Sequence, residues 1–293
     1  MSTPIERIPP READLGDGMH VRRALPTRER RMIGAWCFLD HAGPVDFAPG
    51  GGMHVGAHPH TALQTFTWLI DGEVLHRDSL GSEQVIRPGQ VNLMTAGHGI
   101  VHTEDSLPDA RRLHAAQLWI ALPPEHADCL PAFEHHPVLP RWEQDGCTLT
   151  LLAGRHGERQ SPARLYSPLI GLDICSSGDA RLTLPLDAGF EYGILPLEGS
   201  LRISDETFDS NAFACFAPGA DSIHLELAAH TRLLVIGGVP FAQPVLMAWN
   251  FVGHSREAIA AAQRDWETGT PRFGAVAGST RRLVAPPLPW IGH

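Results

Sequence analysis

The sequence predicts an all-β protein made of two antiparallel jelly-roll barrels, with one short helix near its end. Three observations carry this. Short apolar runs rich in β-branched and aromatic residues alternate with turns along most of the chain. Glycine (29) and proline (25) are abundant and charged residues make up only 19%, a mixture that favours tight turns over a helical bundle. The strand–turn–strand plan around Asp71-Gly72 also recurs in the second half around Glu198-Gly199.

In order, residues 1–34 read as a polar lead-in with short extended pieces. Ile33 to Pro44 is an apolar strand ending in a Gly-Pro turn, and the glycine-rich stretch Ala48 to Gly56 leads to His58. Gln64 to Ile70 and Val74 to Asp78 flank the Asp71-Gly72 hairpin turn. Arg87-Pro88-Gly89-Gln90 turns the chain into Val91 to Thr95, and Ala96-Gly97-His98-Gly99 bends it into Ile100 to Glu104. Leu113 to Leu122 is a further strand, ended by Pro123-Pro124. The expected division is a metal-binding barrel over 1–124, a proline-rich linker of little regular structure over 125–147, a second barrel over 148–241 and a tail over 242–293. The tail carries a helix over 256–267, with Ser255 as N-cap, Ile259, Ala262 and Trp266 on one side, and Gly269 and Pro271 as stop signals.

The formal net charge of -10 argues against nucleic-acid binding as the main role, and the basic run Arg22 to Arg31 reads as a solvated edge. Five scattered cysteines without a Cys-x-x-Cys pair fit neither a disulfide framework nor a thiolate zinc site. The first residues lack the apolar run of a secretion signal, and no stretch is long enough to span a bilayer, so the expectation is a soluble cytoplasmic protein.

Chemistry concentrates between His58 and Glu104. The stretch opens with His58-Pro59-His60 and closes with His102-Thr103-Glu104, both spaced i, i+2. Residues two apart on a strand share a face, so two such strands can gather three imidazoles and one carboxylate. That mixed set suits one divalent transition metal: iron, manganese, nickel, copper or zinc. The chain has 17 histidines, so a single pair would carry little weight; two pairs on a strand–turn–strand unit carry more. His54, His135 and His136 read as peripheral, the last two because neighbours on an extended chain face opposite ways. Gln117 either points toward the metal or bonds a neighbouring backbone group. In the second half, Phe216 to Glu226 parallels Met94 to Glu104, but Pro185 and Asp187 stand where His58 and His60 would be required. His224 and Glu226 therefore read as ordinary strand residues.

These motifs together resemble the pirin family, two-barrel members of the cupin superfamily. The resemblance rests on Phe38-Leu39-Asp40-His41-Ala42-Gly43-Pro44, His58-Pro59-His60, His76-Arg77-Asp78-Ser79, the run Met94 to Glu104 and Gln117-Leu118-Trp119. Weaker matches follow at Gly238-Val239-Pro240 and at the closing helix through Phe273-Gly274. It implies a bicupin: an N-terminal cupin barrel holding iron, most readily Fe(2+), through His58, His60, His102 and Glu104, and a C-terminal cupin barrel without metal. The chain departs from the family at Thr61-Ala62, where Arg-Gly or a similar pair is usual, and at Gln243-Pro244, where Glu precedes Pro.

The activity so implied is that of a quercetin 2,3-dioxygenase, which cleaves the ring of a flavonol-like aromatic enol with O2 and releases carbon monoxide. Glu104, the one carboxylate of the set, is the expected base for the substrate hydroxyl. The alternative is a non-catalytic, metal-dependent redox sensor that docks on a regulatory protein partner. A closed structural metal site ranks below both.

Overall fold

The computed structural model describes residues 4–9, 11–14, 20–243, 245–279 and 281–290. The chain divides into two compact units that do not follow chain order. One comprises Asp14–His20, Ala42–Pro137 and Ala242–His293; the other comprises Met1–Ala13, Val21–His41 and Val138–Phe241. Both are built from antiparallel strands, and the α-helix among the described residues is Arg256–Thr268.

In the first unit, one sheet runs in the order His54–His60, Ile100–Ser106, Val74–Asp78, Glu83–Ile86. The other runs Ala132–His136, Val91–Thr95, Leu63–Asp71, Arg112–Ala121. The hairpin at Asp71-Gly72 forms as expected, with Gly72 at a φ of 90° that L side chains rarely adopt. Residues 125–147 depart from the expected irregular linker. Ala132–His136 adds to the edge strand Val91–Thr95, and Arg141–Gln144 pairs with Cys147–His156. Prolines punctuate the stretch, yet none falls inside either strand, so the intervening backbone is free to complete a sheet edge.

The tail closes the other exposed edge of this unit. Its helix starts at Ser255, whose hydroxyl accepts the Ala258 amide at 3.1 Å, and ends at Gly269 in the left-handed conformation. Ile259, Ala262 and Trp266 pack with Phe251, Phe273, Ala57 and Val101. Ala57 and Val101 are the alternate, outward neighbours of His58 and His102, so the helix covers the back of the strands that carry the histidines. The Ala57 amide donates to the Arg281 carbonyl, and the Leu283 amide donates to that of Ala57, both at 2.8 Å. Thr61 donates its hydroxyl to the Val252 carbonyl at 3.1 Å. The edge strand thus spends its polar groups within the unit. Ala62 sits at a φ of 52°, strained for a residue with a Cβ, which gives a backbone reason for glycine where this chain has alanine. At the second departure, Pro244 lies outside the described residues.

The other unit repeats the plan with a filled interior. Leu149, Leu151, Leu182, Leu184, Leu225, Leu227, Phe208 and Val235 belong to one buried apolar cluster. On the strand Ser222–Leu227, Leu225 and Leu227 are buried while His224 is exposed. The His224-x-Glu226 pair therefore has the opposite phase to the leucines that fill the core. Its groups bond along the sheet instead, His224 with Thr183 and Glu226 with Arg202.

Candidate metal centre

Strand register brings three of the four expected ligands, His58, His60 and His102, together. His102 is the direct cross-strand partner of His58, and Ile100 that of His60. Along its other edge the same strand pairs His102 with Asp78 and Glu104 with His76. Cross-strand partners and i, i+2 neighbours share a face, so His58, His60, His76, Asp78, His102 and Glu104 all belong to one side of the sheet. Between His102 and Glu104 the register against the His54–His60 strand slips, a β-bulge that places one extra residue on the His58 side.

The three histidine rings meet. The centroids of His58 and His102 lie 4.3 Å apart, those of His60 and His102 4.9 Å, and those of His58 and His60 5.0 Å. One coordinating nitrogen from each lies within 4.8 Å of the others, and all three side chains are buried. His58 donates Nδ1–H to the Gly56 carbonyl at 2.8 Å, and His60 donates Nδ1–H to the Asn250 carbonyl at 3.2 Å. Those partners assign the tautomer and leave Nε2 of both rings as a lone pair. His60 Nε2 lies 3.0 Å from His102 Nε2. Two nitrogens on one transition metal, with bonds of about 2.0–2.1 Å, sit about 2.9–3.4 Å apart. The donor set fits a divalent transition metal.

Electrostatics favour the same state. Burial pushes His58 down to about 4, and burial with the neighbouring imidazoles holds His60 and His102 well below the ordinary histidine value. Neutral imidazole is the ligating form. The unfolded chain takes up protons near pH 6.5 while the folded site resists them until about pH 4 at His58. The metal-free protein is expected to keep a constant melting temperature from pH 8 to 7 and to lose stability progressively from about pH 6.5 downward. Thermal melts of metal-free protein across that range check this, and a melting temperature that rises on acidification contradicts it.

Glu104 stands apart from the group of close ring nitrogens. It is half-buried, and burial raises its carboxyl above the usual range, with His76 and a hydrogen bond from Thr67 pulling the other way. The Thr67 hydroxyl also lies 2.8 Å from the side-chain oxygen of Gln117, its cross-strand partner. A hydroxyl has one proton to give. With the Gln117 amide turned to donate, Gln117, Thr67 and Glu104 form a chain that orients the carboxylate. Gln117 thus bonds a side chain next to Glu104 rather than a backbone group. Trp119, two residues on, sets its ring edge-on to His60 at 5.1 Å.

The remaining candidates lie elsewhere. His54 is exposed and pairs with Asp105 at 3.1 Å. His135 bonds Asn92 and His136 bonds Glu134. Among the described residues, His58, His60 and His102 are the group of three or more potential ligands close enough to share an ion. His76, outside the expected ligand set, forms a further i, i+2 pair with Asp78 on the intervening strand.

Comparison with known proteins places the chain. The Pirin family model matches residues 18–120, and the model of the Pirin C-terminal cupin domain matches residues 171–274. A pirin-like protein of Caulobacter vibrioides is 37% identical over 88% of this chain and 91% of its own length. The chain belongs to the pirin family. Another similar relative is a Pseudomonas aeruginosa protein named "Putative quercetin 2,3-dioxygenase PA1205", 59% identical over 98% of this chain and 91% of its own. A crystal structure of quercetin 2,3-dioxygenase from Acinetobacter baumannii superposes with a TM-score of 0.95 at 46% identity, covering 97% of this chain and 96% of that one. As a pirin the chain carries two cupin domains, and the histidine group lies in the stretch matched by the first model.

Proposed function

We propose that this pirin is a metal-dependent dioxygenase that cleaves a flavonol-like aromatic enol with O2 and releases carbon monoxide. The observation that carries the reading is the convergence of three buried imidazoles whose Nδ1–H groups, at His58 and His60, are committed to backbone carbonyls. Likeness to the Acinetobacter baumannii quercetin 2,3-dioxygenase supports the reaction class. His58, His60, His102 and Glu104 would hold the ion, with iron(II) the leading candidate. Bound there, a divalent transition metal supplies Lewis acidity toward an enol oxygen and redox access to dioxygen.

The chain's own groups do the rest. Glu104 takes the proton of the substrate's hydroxyl, giving an enolate and a neutral carboxylic acid. Its raised proton affinity suits a base that must hold that proton during the reaction. Thr67, backed by Gln117, holds the carboxylate by a hydrogen bond. Trp119 and the buried histidines keep the surroundings dry, which strengthens each of these contacts.

The test is an oxygen-electrode assay of iron(II)-loaded protein with quercetin, coupled to detection of carbon monoxide. Stoichiometric consumption of oxygen and release of carbon monoxide are expected. Metal-loaded protein that turns over none of several flavonols, with iron, manganese, nickel or copper, sinks the proposal.

A further inference from the structure

His102 differs from its two companions in how its second nitrogen is satisfied. Its side chain is buried, and its Nδ1 faces no backbone carbonyl among the hydrogen bonds of the described residues. It lies 3.4 Å from Nδ1 of His76, long for such a bond but within reach. The far nitrogen of His76, Nε2, lies 3.1 Å from Asp78 Oδ2. Asp78 Oδ1 accepts the backbone amides of Leu80 at 2.9 Å and Ser82 at 3.0 Å. Phe133 stacks on the His76 ring at 4.3 Å and 11°, which holds its plane. His76 and Asp78 are 3% and 2% exposed, so water does not offer either a replacement partner.

A carboxylate only accepts, and each neutral imidazole has one N–H and one lone pair. Facing the Asp78 carboxylate, His76 must carry its proton on Nε2. Its Nδ1 is then a lone pair, and the facing Nδ1 of His102 must be the donor. That leaves Nε2 of His102, the nitrogen 3.0 Å from His60 Nε2, as a lone pair.

We propose that His76 and Asp78 are positioning residues, a carboxylate–imidazole chain that fixes the tautomer and ring orientation in which His102 binds the metal. The inference rests on His102 being a ligand. The loop amides of Leu80 and Ser82 anchor the chain at its far end, so the turn after the Val74–Asp78 strand is coupled to the metal through three side chains. Gly56 and Asn250 serve His58 and His60 directly with backbone carbonyls, which side-chain substitution cannot remove. His102 alone depends on residues that can be changed.

Asp78→Asn is the discriminating variant. It keeps the shape and can still accept the Leu80 and Ser82 amides, but it turns an N–H toward His76. His76 must then accept at Nε2 and carry its proton on Nδ1, which forces the proton of His102 onto Nε2. His76→Phe keeps a ring against Phe133 and removes the acceptor. Cobalt(II) titrations followed by visible absorption, with a competing chelator, are expected to show affinity lower by about 10–100-fold in both variants. His76→Gln, which retains an acceptor and a donor, binds more tightly than His76→Phe. Thermal melts of the metal-free forms establish that each variant is folded. Should any fail to fold, imidazole nitrogen NMR of zinc(II)-loaded wild type decides alone: His76 protonated at Nε2 and His102 at Nδ1 is the expected pattern. Cobalt affinity in folded Asp78→Asn and His76→Phe equal to wild type, or zinc-loaded His76 protonated only at Nδ1, overturns the proposal. Wild-type protein that binds neither cobalt nor zinc overturns the ligand reading itself, a result distinct from the other two.

Discussion

His60→Ala is expected to strip the protein of metal. His60 Nε2 lies 3.0 Å from its counterpart on His102, and its Nδ1 is tied to the Asn250 carbonyl. Alanine removes one of the three imidazoles that define the site and leaves two beside Glu104, which stands apart from the close ring nitrogens, so the hold on a divalent ion weakens against buffer or chelator. Elemental analysis should fall from about one metal per chain to below about a tenth of that, since losing a ligand costs at least the roughly 10–100-fold in affinity that losing a ligand's hydrogen-bond partner does. The fold should survive at a cost of about 2–4 kcal/mol, from the cavity beside Trp119 and the unpaired Asn250 carbonyl. A further loss of melting temperature applies to the loaded form, because the wild type gains stability from bound metal and the variant cannot. Metal content equal to wild type in a folded His60→Ala protein would mean that the ion, if any, sits elsewhere.

Glu104→Gln separates base from ligand. Glutamine keeps the size of the side chain and can still accept a hydrogen bond from the Thr67 hydroxyl. It cannot take a proton from an enol. Flavonol-dependent oxygen consumption is expected to drop by about 10²–10⁴-fold, the usual worth of a positioned general base. The three histidines remain, so metal content at saturating iron should stay near that of wild type. Full activity in metal-replete Glu104→Gln would remove Glu104 from proton transfer. Loss of both metal and activity would give Glu104 a larger share in holding the ion than in accepting the proton.

Much of this was legible in the sequence because a strand repeats every two residues. His58 with His60, and His102 with Glu104, each had to share a face once those segments were strands. Turn chemistry at Asp71-Gly72 and the helix signals at Ser255 and Gly269 were equally local, and the structure shows both. The same period marks His76-x-Asp78 on the strand between as a third pair. Period alone misleads in the second unit. His224-x-Glu226 matches His102-x-Glu104 in sequence, but the leucines that fill the core take the opposite phase, so that pair never faces an interior. Pairing at a sheet edge was also hidden. Nothing in residues 125–147 announced that Ala132–His136 would complete a sheet, because an edge strand is chosen by the vacancy it fills.

Read along the chain alone, the residues establish an all-β protein of two related halves, one of them armed with ligand-type residues at strand spacing. Those are consequences of local periodicity and turn chemistry, which each segment carries whatever surrounds it. Which nitrogens meet is a matter of long-range pairing. The match of His102 with His58, the carbonyl of Asn250 beneath His60, the tail packed behind Ala57 and Val101, and the line from His102 through His76 to Asp78 all join residues distant in the chain. Hydrogen bonds of this kind depend on cross-strand register and on burial, and both are fixed when the sheets pair and the core closes rather than by any one stretch of residues.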